Sequence, residues 1–280
     1  MKTIMRNLTG ALLLAGAALV TAQPQDATHE LRLSDIRARQ PRETIFASAP
    51  CQRTRESPRH SIVQRLAIDP NTLVQNLGAL TEKSDEVILA GVLDHATVLS
   101  PSGESTAMYY EARIIRSWKG SHHAGDVLTF GVPGGRVLCA PSGFDRSFFW
   151  ALPAGNDWGF PDRGPLVYVL FLRQSKDDET RAVQGLRLAA GEGVQGMFMI
   201  QVPYPIHPFD PDAERYCAGV LQGSVQHCDS YLETSQSPIM VPYARDPLAK
   251  RYGGRPASDF LHEVQSVAAS QGLAEKPSSQ

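Results

Sequence analysis

Charge of one sign is the first thing the sequence lacks. Its 280 residues carry 27 lysines and arginines against 29 aspartates and glutamates, a formal net charge of −2. That balance provides no electrostatic footprint for nucleic acid or for an anionic membrane surface. Cysteine is scarce as well, with only Cys51, Cys139, Cys217 and Cys228. None of them forms a CxxC pair, which disfavours a zinc site on ligand spacing. No serine sits in GxSxG and no cysteine carries a recognisable histidine partner motif, so the familiar nucleophile signatures are missing. No internal repeat is visible. The longest apolar run, Leu8 to Val20, falls short of the about 20 residues needed to span a membrane.

That run has a different use. Lys2 and Arg6 precede it and the small residues Val20-Thr21-Ala22 follow it. The pattern predicts a signal peptide over residues 1–22, a mature chain starting at Gln23, and secretion or periplasmic release with no integral span afterwards. No cysteine follows the cleavage site, so no lipid anchor is expected. Taking Lys2 and Arg6 from the 27 basic residues leaves 25 against 29 acidic ones, a mature net charge of −4. In an oxidising compartment four cysteines suggest two disulfides. Three connectivities exist and the sequence does not choose among them, although Cys217 and Cys228 are close enough to close a short loop.

Residues 23–70 read as an arginine-rich N-terminal arm, with Arg32, Arg37, Arg39, Arg42, Arg53, Arg55 and Arg59 and little apolar periodicity; part of it is expected to be disordered. A short helix follows, with Leu73, Leu77 and Leu80 on one face, Asp69 or Asn71 as cap and Pro70 in the first turn. Residues 71–202 then turn to a β pattern. Glu86–Leu93 is an apolar run suited to a strand buried on both faces. Ala107–Trp118 alternates, with Met108, Tyr110, Ala112 and Ile114 on one side. Asp126–Val132, Leu166–Leu172, Ala182–Leu188 and Met197–Val202 complete the strands, with Pro101-Ser102-Gly103 and Pro133-Gly134-Gly135 as turns. Strands without intervening helical periods argue against a parallel α/β sheet. The fold class expected is therefore mainly β: a small closed antiparallel barrel with flanking helices and an irregular C-terminal extension, closure removing the open edges. Residues 203–280 form that extension, a proline-rich wrap followed by a helix. Tyr204, Phe209, Tyr216, Tyr231 and Tyr243 are expected to pack on the barrel. Ser258 is its expected cap, and Phe260, Leu261, Val264, Val267 and Ala268 make its apolar face.

The order of these segments carries a resemblance. Ser84-Asp85-Glu86-Val87-Ile88-Leu89-Ala90-Gly91-Val92 opens the region, Arg116-Ser117-Trp118-Lys119-Gly120 ends the second strand, and Asp126-Val127-Leu128-Thr129-Phe130 forms the third. Cys139 follows a Pro/Gly turn, and Tyr168-Val169-Leu170 lies in a strongly apolar strand. The series, over residues 72–202, resembles the OB-fold barrel of netrin-like modules and of the tissue inhibitors of metalloproteinases, and looks like secreted bacterial proteins with the same motif order. The resemblance implies a disulfide between Cys51 and Cys139. It also implies metalloprotease inhibition, provided that the mature chain begins at Cys51 with a free α-amine; the predicted start is Gln23.

Three local motifs lose their functional meaning in context. Gly191-Glu192-Gly193-Val194-Gln195-Gly196 spells GxGxxG, but a strand-like Met197-Phe198-Met199-Ile200 follows where a dinucleotide site needs a helix. His262-Glu263 begins HExxH, but its fifth residue is Ser266. His122-His123 has no evident third ligand and reads as a solvated loop. Scattered Asp and Glu supply no convergent acid/base pair. The most unusual stretch is Arg136 to Gly164, a long loop with Phe144, Phe148, Phe149, Trp150, Trp158 and Phe160 beside Arg146 and Asp157. Such a loop on a barrel is where a peptide or sugar ring could be held; the burial preference of apolar side chains favours the other reading, in which the rings plug one barrel end. The function expected is a secreted, non-catalytic binding module for a protein or glycan of the envelope or exterior, with Phe148, Phe149, Trp150, Trp158, Arg146 and Asp157 as its candidate surface and no cofactor or metal. An unrecognised hydrolase is the remaining alternative.

Overall fold

A computed structural model describes residues 32–39, 42–56, 61–65, 69–99, 106–139, 147–151, 166–174, 187–189, 196–201, 225–241 and 245–273. Three short helices come first, α1 (Leu33–Arg39), α2 (Arg42–Ala47) and α3 (Ala49–Glu56), then strand β1 (Ser61–Arg65) and helix α4 (Leu77–Lys83). The strands β2 (Glu86–Leu99), β3 (Thr106–Lys119), β4 (Val127–Pro133), β5 (Gly135–Leu138), β6 (Ser147–Ala151), β7 (Leu166–Gln174), β8 (Arg187–Ala189) and β9 (Met197–Gln201) follow. The C-terminal part adds α5 (Val225–Glu233), β10 (Ile239–Met240), α6 (Pro247–Tyr252) and α7 (Ala257–Ser270).

The main sheet runs β10-β9-β7-β2-β3-β4-β8. Its first six strands are antiparallel throughout. Five of the expected strands are present with small shifts of their ends, and β2 and β3 are longer than the apolar runs that announced them; the sixth, Ala182–Leu188, meets β8 only at Arg187 and Leu188, and residues 182–186 lie outside the described residues. The departure from an all-antiparallel sheet is β8, which runs parallel to β4 at Phe130 and Gly131 and antiparallel to β7 at Leu172, Arg173 and Gln174. A second sheet, order β1-β6-β5, pairs β1 with β6 in parallel and β5 with β6 antiparallel.

Alternation along β2 and β7 sorts residues into two cores. Ile88, Ala90, Tyr168, Leu170 and Leu172 join Tyr110, Ile114, Leu128 and Phe130 on one face. Val87, Leu89, Val167, Val169 and Phe171 lie on the other, under α4, α5, α6 and α7. The centre of this helix-covered side is aromatic: the ring centroids of Phe198 and Phe260 are 4.6 Å apart, and those of Tyr252 and Phe260 5.1 Å. Each such pair adds about 0.5–1.5 kcal/mol beyond the area it buries.

Several local expectations are corrected. The cap of α4 is Asn76, whose Oδ1 accepts from Ala79 N at 2.9 Å; Asp69 instead accepts from Asn71 N and holds a single 3-10 turn at Pro70–Thr72. Helix α7 has Pro256 as its N-cap, with no side-chain cap bond. Ser258 is buried one position inside α7, and its N–H reaches Ser235 O. The wrap is partly helical. Residues 225–233 contain no proline and place Cys228 and Leu232 four apart on a buried face. In α6 Pro247 occupies the first turn and Asp246 caps Leu248 N. Tyr231 packs against the helix-side core; Tyr204, Phe209, Tyr216 and Tyr243 lie outside the described residues. The N-terminal arm docks where it is described: Leu33 and Ile36 are buried with Val98, Ala107 and Tyr109. Cys51 is bonded to Cys139 across 88 residues and shares a small core with Leu99 and Val137. Cys228 is also disulfide-bonded; Cys217 lies outside the described residues. Among the described residues no helix is long and apolar enough to cross a membrane.

Candidate functional site

Three of the six residues of the predicted ligand surface fall on a strand. Phe148, Phe149 and Trp150 belong to β6, the middle strand of the second sheet, where a long loop was expected. Phe148 stands opposite Ile62 and Val137, Phe149 opposite Val63 and Arg136, and Trp150 opposite Gln64 and Gly135. Val137 is buried, whereas Arg136 is exposed and Leu138 is 57% exposed, so β5 has one covered face and one open face. The physical reason that this segment forms a strand is its run of three aromatic residues beside ready partners: Ser-Ile-Val-Gln-Arg of β1 supplies one ladder and Gly-Arg-Val-Leu of β5 the other. Arg146, Asp157 and Trp158 lie outside the described residues, as do the Pro101-Ser102-Gly103 turn and Gly191 to Gln195. Gly196 (φ +103) leads directly into strand β9, not into a helix.

A second constellation escaped the sequence reading. Glu86 opens β2 and pairs with Leu172 of β7, which places it on the same face as Ile88 and Leu172, and its residue is 2% exposed. The antiparallel β2–β3 pair sets Val87 against Lys119, so the residues just after β3 arrive beside Glu86. Its Oε1 accepts from Ser121 N at 2.9 Å and Ser121 Oγ at 3.1 Å, with His122 Nδ1 at 3.0 Å. His122 is therefore a largely enclosed side chain, 12% exposed, and not part of a solvated loop. Gly120 makes the approach feasible: at φ +114, a Cβ there would come within 1.9 Å of Glu86 Oε2. The turn is tied down further. Lys119 Nζ donates to the carbonyls of Thr81 and Glu82 at the C-terminal end of α4, where a cation complements the helix dipole. His123 N donates to Asp126 Oδ2 at 2.8 Å.

Ser, His and Glu side by side invite comparison with a hydrolytic triad, and the atoms decide against it. In such a relay the carboxylate and the serine engage opposite ring nitrogens. Here Glu86 Oε1 and Ser121 Oγ (3.4 Å) both face His122 Nδ1, and Ser121 Oγ already donates to Glu86. The cluster can hold a turn; it cannot pass a proton from serine through imidazole to carboxylate. Among the described residues no group of three metal-ligating side chains converges.

Other charged groups are spent on docking. Arg37 of α1 grips Asp94 through two bonds of 2.8 and 2.9 Å and reaches His95 O at 2.8 Å. The guanidinium bonds hold the Asp94 carboxyl below its usual range. Arg116, 8% exposed on β3, faces Asp229 and Glu233 of α5 at 2.8 and 2.6 Å. Burial pushes the hydroxyls of Tyr110 and Tyr168 well above the ordinary tyrosine range. The His262-Glu263 dipeptide divides its roles: His262 is exposed, while Glu263 accepts from Tyr252 Oη at 2.6 Å and from Arg251 at 2.8 Å. No protein-family model, no curated protein and no solved structure matches the chain.

Proposed function

We propose that the protein is a secreted or periplasmic, non-catalytic binding module, an OB-like barrel that carries a second small sheet as its presenting surface. The observation behind this reading is the placement of Phe148, Phe149 and Trp150 on the central strand of that sheet, beside exposed Arg136 and Leu138. A ligand-facing patch on paired strands is held more stiffly than one on a loop, which lowers the ordering cost of binding. The Cys51–Cys139 bond anchors α3 next to the end of β5 and supports both the rigidity and the oxidising compartment. The barrel reading is supported by β8, which has partners on both sides, β4 and β7, although these are distant in the strand order. The partner in this reading is an envelope or extracellular protein or glycan, met by an apolar and cationic surface.

Metalloprotease inhibition finds less support, since Cys51 is fully buried within α3 and its main chain is not poised to reach a zinc ion. The hydrolase reading loses the Glu86–Ser121–His122 cluster to the β3–β4 turn.

The test substitutes Leu138→Asp and Phe149→Ala, separately, and measures binding to glycan arrays and to exported proteins of the source cell. Both variants should lose binding, and Leu138→Asp, at an exposed position of β5, should keep the native melting temperature. Undiminished binding at native stability removes the second sheet as the surface.

A further inference from the structure

We propose that Arg251 and Arg255 form a preorganised clamp for a tetrahedral oxyanion, a phosphate or sulfate group, free or carried on a glycan. The two side chains are brought together by the end of α6 and the turn into α7. Gly253 and Gly254 make that turn: a Cβ on Gly253 would lie 2.6 Å from Ala249 O, and Gly254 has φ +81. The turn returns the chain so that both guanidinium carbons stand over one ring, that of Tyr252, at 5.3 and 5.6 Å from its centroid. One carboxylate then pins both. Glu263 Oε1 accepts from Arg251 at 2.8 Å and from Tyr252 Oη at 2.6 Å, and Oε2 lies 3.5 Å from Arg255.

The donor inventory leaves most of the two forks unused. An arginine carries five N–H donors; Arg251 donates one to Glu263 and Arg255 makes only the longer ionic contact. Both side chains are about half exposed, at 52% and 49%, so the remaining donors face water. Glu263 is the carboxylate in contact with the two guanidiniums; Asp259, exposed one turn before it on α7, is the other acid nearby, and exposed Lys250 and Arg245 keep the positive charge in excess. Asp246, the acidic residue within 245–255, is buried as the cap of α6. Planar, bidentate forks match phosphate and sulfate oxygens, and the ring and carboxylate that hold them cut the entropy lost on binding. The assignment concerns elements other than the second sheet and stands independently of the function proposed above.

The experiment titrates the full oxidised chain with inorganic phosphate and, separately, with a heparin-derived oligosaccharide at low salt, following amide shifts by NMR. Binding of either probe with shifts centred on residues 250–255 is expected; the oligosaccharide alone would identify a glycan-borne group, and phosphate a free one. Arg251→Gln and Arg255→Gln should each weaken binding about tenfold or more, as expected for loss of a charge-assisted bond. Arg53→Gln, on α3, should leave it unchanged. Glu263→Gln separates a clamp from a mere patch of charge: removing a negative charge should tighten a patch, whereas losing the pin should weaken a clamp. Absence of binding to both probes, equal loss in the Arg53 variant, or tighter binding by Glu263→Gln would each overturn the proposal.

Discussion

Replacing Gly120 with alanine tests whether the buried carboxylate is what holds the β3–β4 turn. At φ +114 the added methyl would lie 1.9 Å from Glu86 Oε2 and 2.5 Å from Oε1. Two costs arise. An L-residue forced to positive φ costs about 1–2 kcal/mol. Moving the carboxylate aside breaks its bonds to Ser121 and His122, and a hydrogen bond to a charged group contributes roughly 1.5–3 kcal/mol. With water replacing part of what is lost, the single substitution should destabilise by about 3–5 kcal/mol, a large share of the about 5–15 kcal/mol of a typical domain. The steric part depends on Glu86 being there. In a Glu86→Ala background only the backbone strain remains, so Gly120→Ala should then cost about 1–2 kcal/mol, a coupling near 2–3 kcal/mol. Urea unfolding followed by far-ultraviolet circular dichroism, with equal m-values across the four proteins, measures the cycle. Additivity within about 0.5 kcal/mol would refute the reasoning, because independent sites add to that accuracy.

Cys51→Ser should lower stability by about 2–5 kcal/mol through the freed 88-residue loop, measured as a drop in melting temperature relative to the oxidised chain. At high pH the tyrosines set the limit. Burial, and for Tyr252 also its bond to Glu263, raise the folded-state values of Tyr110, Tyr168 and Tyr252 above the ordinary 10.0. Their neutral forms are favoured on folding, so this contribution is complete below pH about 10 and is lost as pH rises through the folded values. A stepwise alkaline titration should show tyrosinate absorbance rising together with unfolding, and early ionisation of these rings in a still folded chain would contradict the burial.

The strands of the main sheet were legible because their signals are local: apolar runs such as Leu166–Leu172 bounded by glycine and proline, and the alternation of Met108, Tyr110, Ala112 and Ile114. The apolar face of α7 was legible for the same reason. What stayed hidden is non-local. Ser61–Arg65 looks like part of a polar arm until Ser147–Ala151 is beside it, and the pairing is parallel, so no hairpin turn announces it. Glu86 sits in a run otherwise suited to a strand buried on both faces, and nothing in its neighbourhood reveals that Ser121 and His122 will come to meet it. The one clue was Gly120 after Lys119, a residue type suited to positive φ at the end of a long strand. The candidate surface was half legible: the aromatic density marked the segment, but not its place on a middle strand.

The bond between α3 and the end of β5 joins the first two cysteines of the chain in order of appearance. An oxidising machinery that meets the polypeptide amino end first, and links each thiol to the next one presented, arrives at the native bridge directly. On the proposed export, Cys51 need only persist as a thiol until Cys139 emerges; no swapped intermediate has to be undone for this bridge, whose formation should then be indifferent to the loss of a disulfide isomerase while remaining dependent on an oxidase.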